Sequence, residues 1–263
     1  MHIKPKKSLG QNFLVDPNIR RKIVAACEFY PCDIILEIGS GRGELTRLIA
    51  DRVSKVCALE IDPQLCRMLK DASDGLANIE IINRDILKFD LTDYFRKATQ
   101  RKIKVVGNIP YYISSEIIAH LLRHRAVIDK IYLTVQKEFA ARVCAKPGSK
   151  DYGAFSCFAQ YYAQAKVLFH IKNTSFSPVP KVDSSFLSLA ITAQPQVKVN
   201  DERLFFKVIR QSFNQRRKTL RNSLRNLAPA EKLAGFFTSR NLGSNIRPEQ
   251  LSLSDFADLA NCL

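Results

Sequence analysis

Apolar positions along the chain fall into short blocks with two different periods. Cys32 to Ile38 contains Ile34-Ile35-Leu36, and Val56 to Ile61, Ile79 to Ile82, Ile103 to Val106 and Ile131 to Val135 are further apolar runs of strand length. The stretches between them have helical spacing. Asp16-Pro17 reads as an N-cap followed by proline at the first helical position, after which Ile19, Ile23 and Ala26 share one face. Helices are expected from about Glu44 to Val53, after Asp62-Pro63, and from a capping Ser114 through His124. Strands alternating with helices predict an α/β fold, a mainly parallel sheet covered on both faces. Such sheets bind ligands at the carboxyl ends of their strands.

The pattern changes near Thr192. Thr192-Ala193-Gln194-Pro195-Gln196 reads as a linker, and beyond Asp201 the period is helical. Leu204 with Val208 and Phe205 with Ile209 suit one helix, Thr219 to Leu227 a second, and Phe256 to Leu263 a last. The expected division is a catalytic α/β domain over 1–195 and a small all-helical domain over 196–263. Phe155, Phe158, Tyr161 and Tyr162 stand at helical spacing, for which core packing is the default.

Composition narrows the class. Hydrophobic residues make up 46%, enough for a real core. No apolar run reaches the ~18 residues of a membrane span, and Lys4, Lys6 and Lys7 precede no apolar stretch that would make a secretory or transit signal. The seven cysteines are odd in number and form no Cys-x-x-Cys pair, which points to free thiols in a reducing compartment and a cytoplasmic location. His120 and His124 are four apart but lack a zincin's Glu and a third ligand, so no metal is expected.

The net charge of +16 calls for a polyanionic partner, nucleic acid or an acidic membrane face. From Arg203 to Arg225 there are eight Lys/Arg and no acidic residue. Arg216, Arg217, Lys218 and Arg221 are the candidates there for holding phosphates. Arg96, Lys97, Arg101, Lys102 and Lys104 form a second cluster that reads as surface charge.

The candidate chemistry sits at strand ends. Gly39-Ser40-Gly41-Arg42-Gly43 follows one strand and precedes a helix, so its backbone can turn tightly and touch a ligand. Such a loop alone serves a dinucleotide, S-adenosylmethionine (SAM) or only a turn. The acids around it favour SAM, which has no phosphate for them to repel. Glu60 ends the second strand and is placed for ribose hydroxyls, Asp85 follows the third and is placed for an adenine amine, and Glu37 could face the methionine ammonium. Asn108-Ile109-Pro110-Tyr111 follows the strand from Ile103. An exocyclic adenine amine is conjugated with its ring and is a poor nucleophile. Acceptors from the Asn108 side chain and a carbonyl of the Ile109-Pro110 turn would favour a tetrahedral nitrogen whose lone pair can attack. Pro110 stiffens the turn, and Tyr111 offers a face to the base. Orientation and electrostatics then carry the step without a nucleophilic residue.

The sequence resembles the small-subunit ribosomal RNA adenine dimethyltransferases of the KsgA type over nearly its whole length. The resemblance starts with Lys7-Ser8-Leu9-Gly10-Gln11-Asn12-Phe13-Leu14 and continues through Glu37 to Gly43, Glu60-Ile61-Asp62 and Asn108 to Tyr111. It extends to Lys146 to Gly153, Phe176 to Ser184 and Phe213 to Thr219. It implies a seven-stranded SAM-dependent methyltransferase domain with a small helical domain. It also implies transfer of two methyls to each of two adjacent adenines in the 3′-terminal hairpin loop of small-subunit rRNA. The chain would act on rRNA within an immature 30S-type particle, as a monomer without membrane contact. By position, Gln11, Asn12, Leu14, Glu37, Gly39, Gly41, Glu60, Ile61, Asp85, Ile86 and Asn108 are implied in cofactor binding. Asn108, Pro110 and Tyr111 are implied in the catalytic turn, and Phe176 as an aromatic that stacks on the flipped adenine. The family commonly reads Asn-Leu-Pro-Tyr-Asn, whereas Ile109 and Tyr112 stand here. Related large-subunit rRNA methyltransferases often carry Ile at that second place, so the turn leaves the RNA open, while Phe176 to Ser184 and the Phe213 segment favour the small subunit. A non-catalytic assembly or transcription factor on the same fold is the reading from another class.

Overall fold

The computed structural model describes residues 5–6, 9–214, 218–243 and 245–263. The chain runs through β1 (Phe13–Leu14), α1 (Pro17–Ala26), β2 (Ile34–Ile38), α2 (Glu44–Ala50), β3 (Lys55–Glu60), α3 (Pro63–Ala72) and β4 (Ile79–Asn83). It continues through α4 (Leu91–Ala98), β5 (Ile103–Asn108), α5 (Ser114–Arg123), β6 (Ile128–Gln136), α6 (Lys137–Val143) and α7 (Ala154–Tyr162). Then come β7 (Ala163–Ile171), β8 (Phe176–Ser177), β9 (Ser184–Ile191), α8 (Glu202–Phe213), α9 (Leu220–Leu224), α10 (Ala230–Ser239) and α11 (Leu253–Cys262).

Seven strands form one sheet in the order β4-β3-β2-β5-β6-β9-β7. The five from β4 to β6 are parallel, and β9 is antiparallel to β6. The parallel five coincide with the five apolar runs, because helices cover both faces of the inner strands, while the edge strand β4 stays only partly buried. Ile35 and Leu36 on the central β2 are fully buried, each worth roughly 1.5–3 kcal/mol of transfer free energy. Periodicity does not mark β9, where Ser184, Ser185 and Ser188 are buried in the strand. A separate pair joins β1 to β8, with Leu14 opposite Phe176.

Aspartates start several helices by accepting backbone N–H bonds. Asp16 takes Asn18 and Ile19, Asp62 takes Gln64, and Asp201 takes Arg203 and Leu204. Ser114 works differently from the expected cap. It is the first residue of α5, and its hydroxyl donates to the Pro110 carbonyl at 3.2 Å.

The chain divides into two units, 1–140 with 165–191 and 141–164 with 192–263. The second unit is helical but takes in 141–164 as well as the tail, whereas the linker near Thr192 had suggested one division at 195/196. The reason is aromatic packing. Tyr161 lies 5.1 Å from Phe205, Phe158 lies 5.5 Å from Phe206, and Phe213 lies against both Tyr152 and Phe256. The expectation that Phe155 to Tyr162 packs in a core thus describes the core of this helical unit.

Strand order reverses between β2 and β5, where Ile38 pairs with Gly107. A Cβ on Gly107 would stand 2.8 Å from the Ile38 carbonyl oxygen, a backbone atom that cannot swing aside. Gly107→Ala should therefore destabilise the protein by about 2 kcal/mol, whereas Gly235→Ala, on α10 with open space around it, should stabilise by about 0.5–1 kcal/mol. Denaturant unfolding midpoints check both, and equal effects would show that β2 and β5 do not approach this closely.

Candidate active site

Two adjoining cavities open at the carboxyl ends of β2, β3 and β5. The larger spans about 820 Å³ and the smaller about 390 Å³, each including space open to solvent, and Phe13, Gly39, Gly41 and Asn108 line both. Gly39, Gly41 and Gly43 all take positive φ, which only glycine adopts without strain. A Cβ at Gly43 would run into the Leu69 side chain. The Gly39 N–H bonds to the Leu59 carbonyl at 2.8 Å, tying the loop to the end of β3.

Glu60 is almost fully buried and turns back toward the loop. One carboxylate oxygen accepts the Gly41 N–H at 3.0 Å and the other the Asp62 N–H at 2.9 Å. Burial raises its pKa, and those two N–H groups partly oppose the rise. Asp62 is itself buried and paired with Lys6 at 2.8 Å. Gln11 bridges the Lys6 N–H and Asp62, which holds the N-terminal segment along the larger cavity. Asp85 lines that cavity and accepts the Leu87 N–H through one oxygen. Ile61, 46% exposed, and buried Ile86 supply its apolar walls.

Glu37 lies against the smaller cavity at 2% exposure, with Leu14, Arg20 and Arg42 also lining it. Burial pushes its carboxyl up to about 8, helped by the nearby Glu60 and Glu44 charges. One of its oxygens is buried without a hydrogen-bond partner, as is the Ser40 hydroxyl on the same cavity wall. A buried orphan acceptor of this kind is explained by a ligand donor, so the site suits a cofactor with a cationic nitrogen at this end.

Asn108 ends β5 at the junction of the cavities. Its amide nitrogen donates to the Asn12 carbonyl at 2.7 Å, which leaves the side-chain oxygen as an acceptor. Asn12 lines the larger cavity beside it. Tyr111 is fixed by a 2.5 Å hydrogen bond between its hydroxyl and Ser184 Oγ at the start of β9. Burial raises the Tyr111 pKa, so the phenol stays neutral.

The ribosomal RNA adenine dimethylase family model matches residues 2–263. Ribosomal RNA small subunit methyltransferase A of Streptococcus gordonii is 42% identical over 265 residues, covering 98% of this chain and 91% of that protein. The protein of that name from a Geobacillus species is 43% identical over 267 residues, with the same coverage. The chain belongs to the ribosomal RNA adenine dimethylase family. Two solved structures share its fold. A dimethyladenosine transferase from Plasmodium falciparum has a TM-score of 0.80 at 26% identity, covering 94% of this chain and 95% of that one. The 23S rRNA methyltransferase ErmE has a TM-score of 0.75 at 26% identity, covering 96% and 99%. This dimethylase is thus an α/β methyltransferase with a helical C-terminal region.

The cleft brings together the candidates from Gln11 to Tyr111, but not all the rest. Phe176 is 1% exposed and sits in the hydrophobic core with Leu14, Ile171 and Phe186. It lines neither cavity, and in this conformation its ring has no free face for a base, because β8 pairs with β1 and turns the ring inward. Arg216 and Arg217 lie outside the described residues. Lys218 and Arg221 are exposed, and α8 presents Arg203, Lys207 and Arg210 to solvent at helical spacing. His120 bonds the Phe89 carbonyl and His124 the Thr92 hydroxyl. Among the described residues no His, Cys, Asp and Glu cluster is arranged for a metal, and no helix is long and apolar enough to cross a membrane. The candidate set lacked Phe13, Asp62 and Ser184. Asp62 carried a signal in the Asp62-Pro63 cap, and Ser184 none beyond the family segment.

The Glu37 carboxyl sets a pH dependence. The folded protein holds its proton up to about 8, whereas an unfolded chain releases it near the ordinary 4.5. Between those values the folded state binds the extra proton, so this group makes stability fall as pH rises through that window. Glu37→Gln should remove that slope: ligand-free variant and wild type should match at low pH, and the variant should gain relative stability up to about pH 8. Denaturant midpoints across the range check this, and parallel curves would mean that Glu37 is ionised throughout.

Proposed function

We propose that this dimethylase binds SAM and transfers two methyls to the N6 amine of each of two adjacent adenines in the 3′-terminal hairpin loop of small-subunit rRNA. In this reading it works as a monomer in the cytoplasm on an immature small-subunit particle and takes part in its biogenesis. The observation that carries the reading is the Asn108 amide, whose nitrogen is committed to Asn12 so that its oxygen remains for an amine hydrogen. The Pro110 carbonyl already accepts from Ser114 and Ile113. We therefore assign the second acceptor to the Ile109 carbonyl. With both amine hydrogens bonded, the nitrogen lone pair is released from conjugation toward the methyl. Tyr111, held by Ser184, walls the base.

When bound, SAM supplies a methyl already activated on its sulfonium. Glu60 and Asp85 would hold the ribose and the adenine amine, with Ile61 and Ile86 flanking the ring. Glu37 would meet the ammonium, while Arg20 and Arg42 bring positive charge to the same small cavity for the carboxylate. Gln11, Asn12 and Leu14 close the cofactor from the N-terminal side. The exposed bases Arg203, Lys207, Arg210, Lys218 and Arg221 would grip RNA phosphates together with Arg216 and Arg217. Relatives at 42% and 43% identity named for the small subunit favour that RNA over the large-subunit alternative, whose support is Ile109 and the fold likeness to ErmE.

Labelled methyl transfer to unmodified small and large subunits, with mapping of the modified base, tests the substrate. Label should appear on small-subunit adenines, and transfer confined to large subunits would overturn the reading. Asn108→Ala should lower turnover by about 10²-fold or more while leaving the SAM dissociation constant within a few-fold; unchanged turnover refutes the role. Lys218→Ala with Arg221→Ala should weaken particle binding and reduce the salt slope by roughly two. An unaltered slope would remove these residues from the RNA contact.

A further inference from the structure

The catalytic turn runs on into a short 3-10 turn, Tyr111–Ile113. Successive side chains on such a turn diverge by roughly 120°, so the two neighbouring tyrosines serve different surroundings. Tyr111 points toward β9 and is tied to Ser184. Tyr112 is 62% exposed although it lines the larger cavity. Among the described residues neither its hydroxyl nor its ring has a partner.

An exposed aromatic ring is by itself ordinary. Here its setting is specific. Gly10 lies directly against it with φ of +60°, and a Cβ there would stand 2.9 Å from Tyr112 Cε1 and 3.3 Å from Pro110 Cβ. The absence of a side chain at Gly10 thus lets residues 9–12 back the ring on one side. That backing is itself anchored, since Asn12 accepts from Asn108 and Gln11 bonds Lys6 and Asp62. At 62% exposure most of the rest of the ring is open to solvent along the larger cavity. Phe176, the other candidate aromatic, is closed off in the core.

A base drawn into the cleft leaves its neighbour without a stacking partner, and that loss opposes extrusion. An aromatic face at the mouth replaces the lost stack without reading the base. We propose that Tyr112 is the stacking platform for the RNA base adjacent to the adenine whose amine reaches Asn108. This inference rests on the function proposed above.

The test uses the full chain with Tyr112→Ala and Tyr112→Phe. It measures kcat/KM for methyl transfer to unmodified small-subunit particles, the SAM dissociation constant and the thermal midpoint. Tyr112→Ala should lower kcat/KM about tenfold, leave SAM affinity and the midpoint unchanged, and be rescued by Tyr112→Phe, which keeps the ring. An alanine variant within twofold of wild type overturns the proposal. So does a phenylalanine variant as poor as alanine, which would make the hydroxyl the active part. A parallel loss of SAM affinity also overturns it, because the ring would then belong to the cofactor wall. Wild-type protein inactive on small-subunit particles refutes the function reading before any variant is made, and the platform falls with it.

Discussion

Where β2 and β5 run side by side, the chain has just reversed its direction of growth across the sheet. The register that pairs Ile38 with Gly107 sets the residues following each, Gly39 and Asn108, at one edge. A side chain on Gly107 would force the strands apart, and the glycine loop would then part from the catalytic turn. The other parts of the cleft are fastened to that junction. Leu59 and Glu60 hold the loop from β3, Asn12 holds Asn108 from the N-terminal side, and Ser184 holds Tyr111 from β9. The glycine-loop end and the Asn108 end of the cleft share one seam in the sheet.

Carboxylates sit around that seam in unequal states. Glu60 keeps two backbone donors, which partly offset its burial, and Asp62 has Lys6. Glu37 has an oxygen with no donor, and burial, with the Glu60 and Glu44 charges nearby, raises its pKa. The ligand-free cleft therefore holds the Glu37 carboxyl protonated up to about pH 8, and a cationic group arriving there would favour its ionised form.

The five parallel strands were legible because strands largely covered on both faces are rich in apolar residues, and such runs stand out even where Glu80 or Lys104 interrupts them. The β9 strand was not, since Ser184, Ser185 and Ser188 read as turn residues and are polar although buried. The spacing of Phe158 and Tyr161 showed a buried helix but not which core it fills, so the early passage of 141–164 into the helical unit was hidden. In the cleft, Gly39, Glu60, Asp85 and Asn108 were legible because each sits at a strand end, where position in the fold follows from position in the sequence. Partners brought in from far along the chain carry no local signal, as with Ser184 for Tyr111. For Phe176, motif position alone gives no measure of burial; pairing of β8 with β1 determines it.

The hydrogen bond from Asn108 to the Asn12 carbonyl fixes an orientation as well as a distance. An amide side chain is nearly symmetric in shape, and only its bonding decides which end presents oxygen. That decision is made by a backbone atom of the segment that also covers the larger cavity. The side-chain oxygen at the junction of the two cavities is therefore presented only while residues 9–12 lie along the larger one, so the polarity of that junction and the course of the N-terminal segment are a single property.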